Sequence, residues 1–253
     1  MPDPELRGIK VLVTRPAAQA QRLCDGIQRL GGEPVALPLL EIEPLHPSHL
    51  PDLAVFGVLI FVSANAVRYG LDSLLPLPAG MSVGAIGRAT AEHLAAAGVR
   101  ADLVPTRYDS EGLLALPGMQ HLHGKSVLIV RGQGGRETLA ESLRARGAQV
   151  AYLEVYRRVC PVWDAAAVQN ALGTDIISVT SAEAVENLAQ LARQPGAERL
   201  WAKPLMVYHE RIAGRARELG FTLKPVVTDE PGDDALLTAL LQWVDEQKGM
   251  GQA

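Results

Sequence analysis

Apolar positions along the chain recur with two alternating periods. Val11 to Val13 is a short β-branched run that predicts a strand. Leu23, Ile27 and Leu30 then fall on one face of a helix over residues 20–30, which Gly31-Gly32 ends. Pro34 to Leu37 is the next strand. The same alternation gives strands at 58–62, 82–86, 102–104, 127–130, 150–155, 176–180, 204–207 and 225–227. Helices fall between them at 64–75, 88–97, 110–116, 137–146, 182–192, 211–219 and 234–244. Gly98 and Gly147 stand where two of these helices should stop. The strands are continuous apolar runs, as strands buried on both faces are. Strands alternating with helices of this length predict α/β architecture with parallel sheets flanked by helices. The polar tail Glu246 to Ala253 is expected to fray.

The pattern is written twice. Gly8-Ile-Lys-Val-Leu-Val-Thr-Arg15 returns as Gly124-Lys-Ser-Val-Leu-Ile-Val-Arg131. Val58 to Val67 returns as Ile176 to Val185, and the segment ending at Gly98 returns as the one ending at Gly220. Three repeats in one order predict two similar lobes with a ligand cleft between them. Two extended, proline-bounded segments of mixed polarity, Pro38 to Leu45 and Leu153 to Pro161, look like the paired strands of a linker.

Composition narrows the class. A length of 253 residues suits two domains, and 48% hydrophobic with 21% charged residues is ordinary globular content. A net charge of −4 gives no general attraction to nucleic acid or an anionic membrane, so any basic site is local. The apolar run Val55 to Val62 is far short of the roughly 20 residues of a membrane helix. Met1 to Arg7 has no apolar signal core, so a cytoplasmic protein is expected. Cys24 and Cys160 form no disulfide or metal motif, and His121-x-His123 lacks a companion ligand, so no metal is expected.

Ligands of open α/β sheets sit beyond the carboxyl ends of the strands, at helix N-termini. That rule selects Thr14-Arg15-Pro16 and its copy Arg131-Gly-Gln-Gly-Gly-Arg136, whose glycines let amides approach an anion. The second loop is not a dinucleotide fingerprint, because Glu137 stands where the last glycine should be, and no Walker lysine follows. It reads either as an anion site or as a tight turn with surface arginines. Ser63-Ala64-Asn65 and Thr180-Ser181 follow strands and suit N-caps as well as carboxylate donors. Gly87 and Thr90 mark a third such turn and Ser110 another helix start. Tyr156, beside Arg157 and Arg158, reads either as packing or as a proton donor.

The ordered set resembles the bacterial type of the uroporphyrinogen-III synthase family. It comprises Val-Leu-Val-Thr-Arg15-Pro, Pro-Leu-Leu-Glu-Ile42, Phe61-Val-Ser-Ala-Asn65-Ala-Val and Val83-Gly-Ala-Ile-Gly-Arg-Ala-Thr90-Ala. Asp109-Ser-Glu-Gly-Leu-Leu, Arg131-Gly-x-Gly-Gly-Arg-Glu-x-Leu and Val155-Tyr-Arg-Arg complete it. The resemblance implies two lobes joined by a two-stranded linker that the chain crosses twice. One lobe would hold residues 1–38 with 161–253 and the other 45–153, linked by 39–44 and 154–160. It also implies cyclisation of hydroxymethylbilane to uroporphyrinogen III, with ring D inverted and water lost, and without a cofactor. Tyr156 would then be catalytic. Arg15, Ser63, Ala64, Asn65, Gly87, Thr90, Ser110, Arg131, Gly132, Gly134, Thr180 and Ser181 would hold the substrate. The family also implicates a second threonine near Glu210-Arg211, where this chain has none, which leaves Arg211 as a carboxylate partner. The protein is expected to be monomeric and to meet neighbouring pathway enzymes transiently. Two other readings use the same turns: a non-catalytic two-lobed binder of a carboxylate or phosphate ligand, and a phosphosugar isomerase. The second has no evident base beside Ser63 or Ser181.

Overall fold

The computed structural model describes residues 5–250. The signal-core reading at residues 1–4 and the tail at 251–253 lie outside the described residues. The chain divides into two compact units, Met1–Glu41 with Val159–Ala253, and Ile42–Arg158.

The first unit contains β1 (Lys10–Val13), α1 (Ala17–Arg29) and β2 (Glu33–Ala36). The second contains β3 (Glu41–Pro44), β4 (Val58–Phe61), α2 (Ala64–Leu74), β5 (Ser82–Ala85), α3 (Arg88–Ala96), α4 (Ser110–Ala115), β6 (Ser126–Gly132), α5 (Thr138–Ala145) and β7 (Gln149–Val159). The chain then returns to the first unit with α6 (Ala165–Leu172), β8 (Ile176–Val179), α7 (Ala182–Ala192), β9 (Leu205–Val207), α8 (Glu210–Leu219), β10 (Val226–Val227) and α9 (Asp233–Met250).

The first sheet has the order β10-β9-β8-β1-β2, and every pair in it is parallel. The second has the order β3-β7-β6-β4-β5, with β7-β6, β6-β4 and β4-β5 parallel. Matched by the sequence repeats, β1 and β8 in one sheet correspond to β6 and β4 in the other. Each sheet therefore carries one copy of every repeated segment, and the opening strand of each half of the sequence pairs with the middle strands of the other half.

Side chains alternate faces along each strand. Leu59 and Phe61 of β4 pack with Leu128 and Val130 of β6 against α2 and α3. Val58 and Ile60 pack with Val127 and Ile129 against α4 and α5. In the first sheet Leu12, Ile177 and Val179 face α6 to α8, while Val11, Val13 and Ile176 face α1 and α9. Burial on both faces explains why these strands carry no polar alternation. Gly31, Gly98, Gly147 and Gly220 end helices with φ between 77° and 106°, the left-handed region glycine enters without a Cβ clash.

Three expectations change. Asp102 to Val104 makes one parallel bridge, Leu103 to Gly84, because Pro105 cannot donate the next ladder bond. Helix α6 went unpredicted, although Asp164 caps it by accepting from Ala167 N at 2.7 Å. Helix α9 continues through Glu246 to Met250 instead of fraying there. Residues 154–159 continue β7, an 11-residue strand that neighbours β3 in its sheet.

Candidate active site

Both sheets reverse the order in which strands are added at equivalent positions, between β1 and β8 and between β6 and β4. Such switch points leave a crevice at the carboxyl ends of the strands. In the second unit the crevice is a cavity of about 620 Å³, within the range of small-molecule sites. Its walls come from the ends of β4 and β6, the start of α4, the 131–136 turn and β7.

Tyr156 lies in that wall through a defect in strand pairing. Arg131 pairs with Glu154, but Gly132 pairs with Tyr156, so Val155 is an extra residue in β7. Regular alternation would send Tyr156 to the face of Tyr152, beside α4 and α5. The bulge instead packs both Val155 and Tyr156 into the cluster under α2 and α3. There the phenol meets Ser63, with Tyr156 Oη 3.1 Å from Ser63 Oγ. Ser63 also caps α2, its Oγ accepting from Ala66 N at 3.0 Å. The two hydroxyls carry two protons and their mutual bond uses one. Either orientation leaves one O–H for a third partner. When Ser63 donates, the spare proton is that of Tyr156, which is 3% exposed and so lies in a largely dry wall.

Gly132 supplies the space for the ring. A Cβ there would lie 2.5 Å from Cε2 and Cζ of Tyr156. Gln133 N also donates to Tyr156 O at 2.8 Å. The turn and the phenol are thus fitted to each other.

The charges around the cavity are mostly balanced. Arg131 is buried; its Nη1 donates to Glu137 Oε1 at 2.8 Å, its Nε to Gly132 O at 3.2 Å and its Nη2 to Gly135 O. Its guanidinium stacks 4.4 Å from the Tyr152 ring, and Tyr152 donates its hydroxyl proton to Glu137 Oε2. The Tyr152 hydroxyl, followed by Arg131, holds the Glu137 carboxyl below the usual carboxylate range. Burial and Glu137 push the Tyr152 phenol up. Asp109 accepts from Gly112 N at 2.6 Å and pairs with Arg107 at 2.8 Å, contacts that hold its carboxyl low. Arg136 and Arg158 bring positive charge to the same cavity.

Of the residues selected from sequence, Ser63, Ser110, Arg131, Gly132 and Tyr156 line the cavity. Ala64 and Asn65 open α2 beside Ser63, and Gly134 sits in the turn with φ of 70°. Gly87 is the N-cap of α3, and Thr90 is buried within that helix. Arg15, Thr180 and Ser181 belong to the first unit. There Arg15 pairs with Asp233 at 2.5 Å and stacks 5.2 Å from the Tyr208 ring, while Ser181 caps α7 through Ala184 N at 3.1 Å. Arg211, in the first turn of α8, is exposed. Sequence reasoning missed Tyr152, Gln133, Glu137 and Thr138. Tyr152 could have been found four residues before Tyr156, but only the pairing of β6 with β7 brings it to the 131–137 turn.

Among the described residues no three His, Cys, Asp or Glu side chains group to hold a metal, and no helix is long and apolar enough to cross a membrane. Burial raises both cysteine thiols, which suppresses the thiolate a nucleophile needs.

Comparison with known proteins agrees with the geometry. The family profile described as uroporphyrinogen-III synthase HemD matches residues 21–238. The uroporphyrinogen-III synthase of Escherichia coli K12 is 36% identical over 247 residues, covering 92% of this chain and all of the relative. That of Salmonella typhimurium is 35% identical over 249 residues, again covering 92% of this chain and all of the relative. Among solved structures, the Helicobacter pylori uroporphyrinogen-III synthetase shares the fold with a TM-score of 0.65 at 19% identity, covering 93% of this chain and 99% of its own. A mutant uroporphyrinogen III synthase from Thermus thermophilus does so with a TM-score of 0.58 at 20% identity, covering 95% of this chain and all of its own. The profile match and the identity along nearly the whole chain show that this protein belongs to the uroporphyrinogen-III synthase family.

Proposed function

We propose that the cavity at the ends of β4 and β6 is where this cyclising lyase of tetrapyrrole biosynthesis acts, with Tyr156 as the proton donor. The substrate is hydroxymethylbilane. The Tyr156 phenol protonates the ring A hydroxyl, which leaves as water and gives an electrophilic azafulvene. Ring D attacks through its substituted carbon, forming a spiro intermediate that fragments and recloses with ring D inverted. The proton lost when the last pyrrole regains aromaticity returns to the phenolate. Bonds are rearranged without net oxidation, so the sequence of steps consumes no redox equivalent.

One observation carries this role. Tyr156 lines the cavity, and its contact with Ser63 leaves one hydroxyl proton unclaimed by the pair. Positive charge from Arg136 and Arg158 favours the phenolate left by that proton transfer and substrate carboxylates nearby. Ser63, Ala64, Asn65, Gly87, Thr90, Ser110, Gly132 and Gly134 in one unit, and Arg15, Thr180 and Ser181 in the other, are proposed to take the remaining carboxylates. An acidic chain can hold a polyanion in this way because its positive potential is local. We further propose a cytoplasmic monomer that meets neighbouring pathway enzymes transiently, with 39–44 and 154–160 as the chain's two passages between lobes. Family membership favours the enzyme over a non-catalytic binder.

Isomer analysis tests the activity. Hydroxymethylbilane is incubated with the protein, the product is oxidised, and porphyrin isomers I and III are separated. Isomer III above the blank is expected. Isomer I alone, at the blank rate, refutes the reading.

A further inference from the structure

A basic residue at a strand end in a site for a polyanion invites assignment as a carboxylate receptor. Arg131 is built otherwise. Its side chain is 6% exposed, and Nε, Nη1 and Nη2 all bond within its own loop, to Gly132, Glu137 and Gly135. Both oxygens of Glu137 are engaged, one by Arg131 and one by Tyr152. The guanidinium therefore closes the turn at residues one, four and six positions ahead. That turn carries Gly132, whose missing side chain seats the Tyr156 ring, and Gln133, whose amide holds the Tyr156 carbonyl.

The other copy shares two of these partner types but not the closure within one loop. Arg15 occupies the matching position in the sequence repeat and has the same partners by type: a carboxylate at a helix start, Asp233, and a tyrosine ring, Tyr208.

We propose that Arg131 and Glu137 form a positioning pair that fixes the 132–135 turn and, through it, the phenol of Tyr156, and that Arg131 does not receive a substrate carboxylate. This rests on the proposed role of Tyr156. The two assignments predict opposite kinetics for Glu137→Gln. Glu137 is half exposed, and Glu154 lies 3.9 Å from Arg131 as a second counter-charge, so the variant retains its fold. A loosened turn misplaces the phenol, and kcat falls about ten-fold with KM within about two-fold. A carboxylate receptor freed from Glu137 would instead bind substrate better, lowering KM at unchanged kcat. Arg131→Lys extends the test. An ammonium cannot reproduce three coplanar bonds, so lysine does not restore kcat in a positioning role, whereas it would largely restore a simple anion site.

The experiment is steady-state kinetics and isomer analysis of Glu137→Gln, Arg131→Lys, Tyr156→Phe and the Glu137→Gln/Tyr156→Phe double variant. If the pair acts through the phenol, the double variant is no slower than Tyr156→Phe alone. Additive losses, a lowered KM, or wild-type kinetics in Glu137→Gln would overturn the positioning pair. Wild-type turnover in Tyr156→Phe would instead remove the proposed role of the phenol, a separate failure.

Discussion

Replacing Gly132 with alanine drives a methyl group into the ring of Tyr156. The new Cβ would stand 2.5 Å from Cε2 and Cζ and 3.0 Å from the hydroxyl oxygen. Carbon atoms in contact settle at about 3.5–4.0 Å, so the ring must retreat by roughly 1 Å. The Ser63–Tyr156 contact is already 3.1 Å, and a retreat of that size takes it out of hydrogen-bond range. The backbone presents no second obstacle, since Gly132 is not among the glycines with positive φ. Overpacking of this kind costs about 1–3 kcal/mol. Loss of a placed proton donor costs up to about 10²–10⁴ in rate. We therefore expect Gly132→Ala to lose at least about ten-fold in kcat, together with a few degrees of melting temperature. Thermal unfolding and the isomer assay measure the two effects separately. Gly124→Ala is the control: its φ of 75° makes alanine strained by about 1–2 kcal/mol, and its Cβ would meet nothing within 4 Å. If Gly132→Ala turns over like wild type, or if Gly124→Ala loses as much turnover as Gly132→Ala, the fit of glycine to phenol has no catalytic meaning.

Three further outcomes follow from the same geometry. Tyr156→Phe keeps the ring packing and deletes the proton, so turnover should fall about ten-fold or more while stability changes little; unchanged turnover in the isomer assay removes Tyr156 from the mechanism. Ser63→Ala and Asp164→Ala each delete an N-cap and should each cost about 1 kcal/mol in denaturant unfolding. Only Ser63→Ala should also slow turnover, because Asp164 caps α6, which contributes nothing to the cavity; equal activities would leave Ser63 a cap alone. The Glu137 carboxyl is depressed in the folded state, so its contribution is present above its unfolded value near 4.3 and disappears as pH falls through the lower folded value. Melting temperature measured from pH 8 to pH 3 should then drop more steeply for wild type than for Glu137→Gln below about pH 4.3; parallel curves would contradict the ion pair.

Much of this protein was legible in one dimension. The strands and helices were readable because burial on both faces demands uninterrupted apolar runs, and because glycine marks helix ends wherever the left-handed region is needed. The duplication was readable because both copies build the same scaffold. The short strand at 102–104 failed because a ladder needs donors on a neighbour as well as apolar residues, and Pro105 withholds one. The 131–136 loop stood out from its glycines and arginines, yet its two readings could not be separated. Whether an arginine greets a ligand or closes its own turn depends on where Glu137 and Tyr152 arrive.

The sequence by itself determined most of the element order, the internal repeat, the α/β class and the set of turns at the carboxyl ends of the strands. Those are local properties, fixed by period, capping and backbone freedom. Tertiary structure alone decided which copies share a sheet, since pairing between β1 and β8 joins residues far apart in the chain. It also decided where Tyr156 points. Counted by twos from Tyr152, the phenol belongs on the α5 face; one extra residue in β7 turns it toward Ser63. A bulge is a relation between two strands, and no single strand's residues record it.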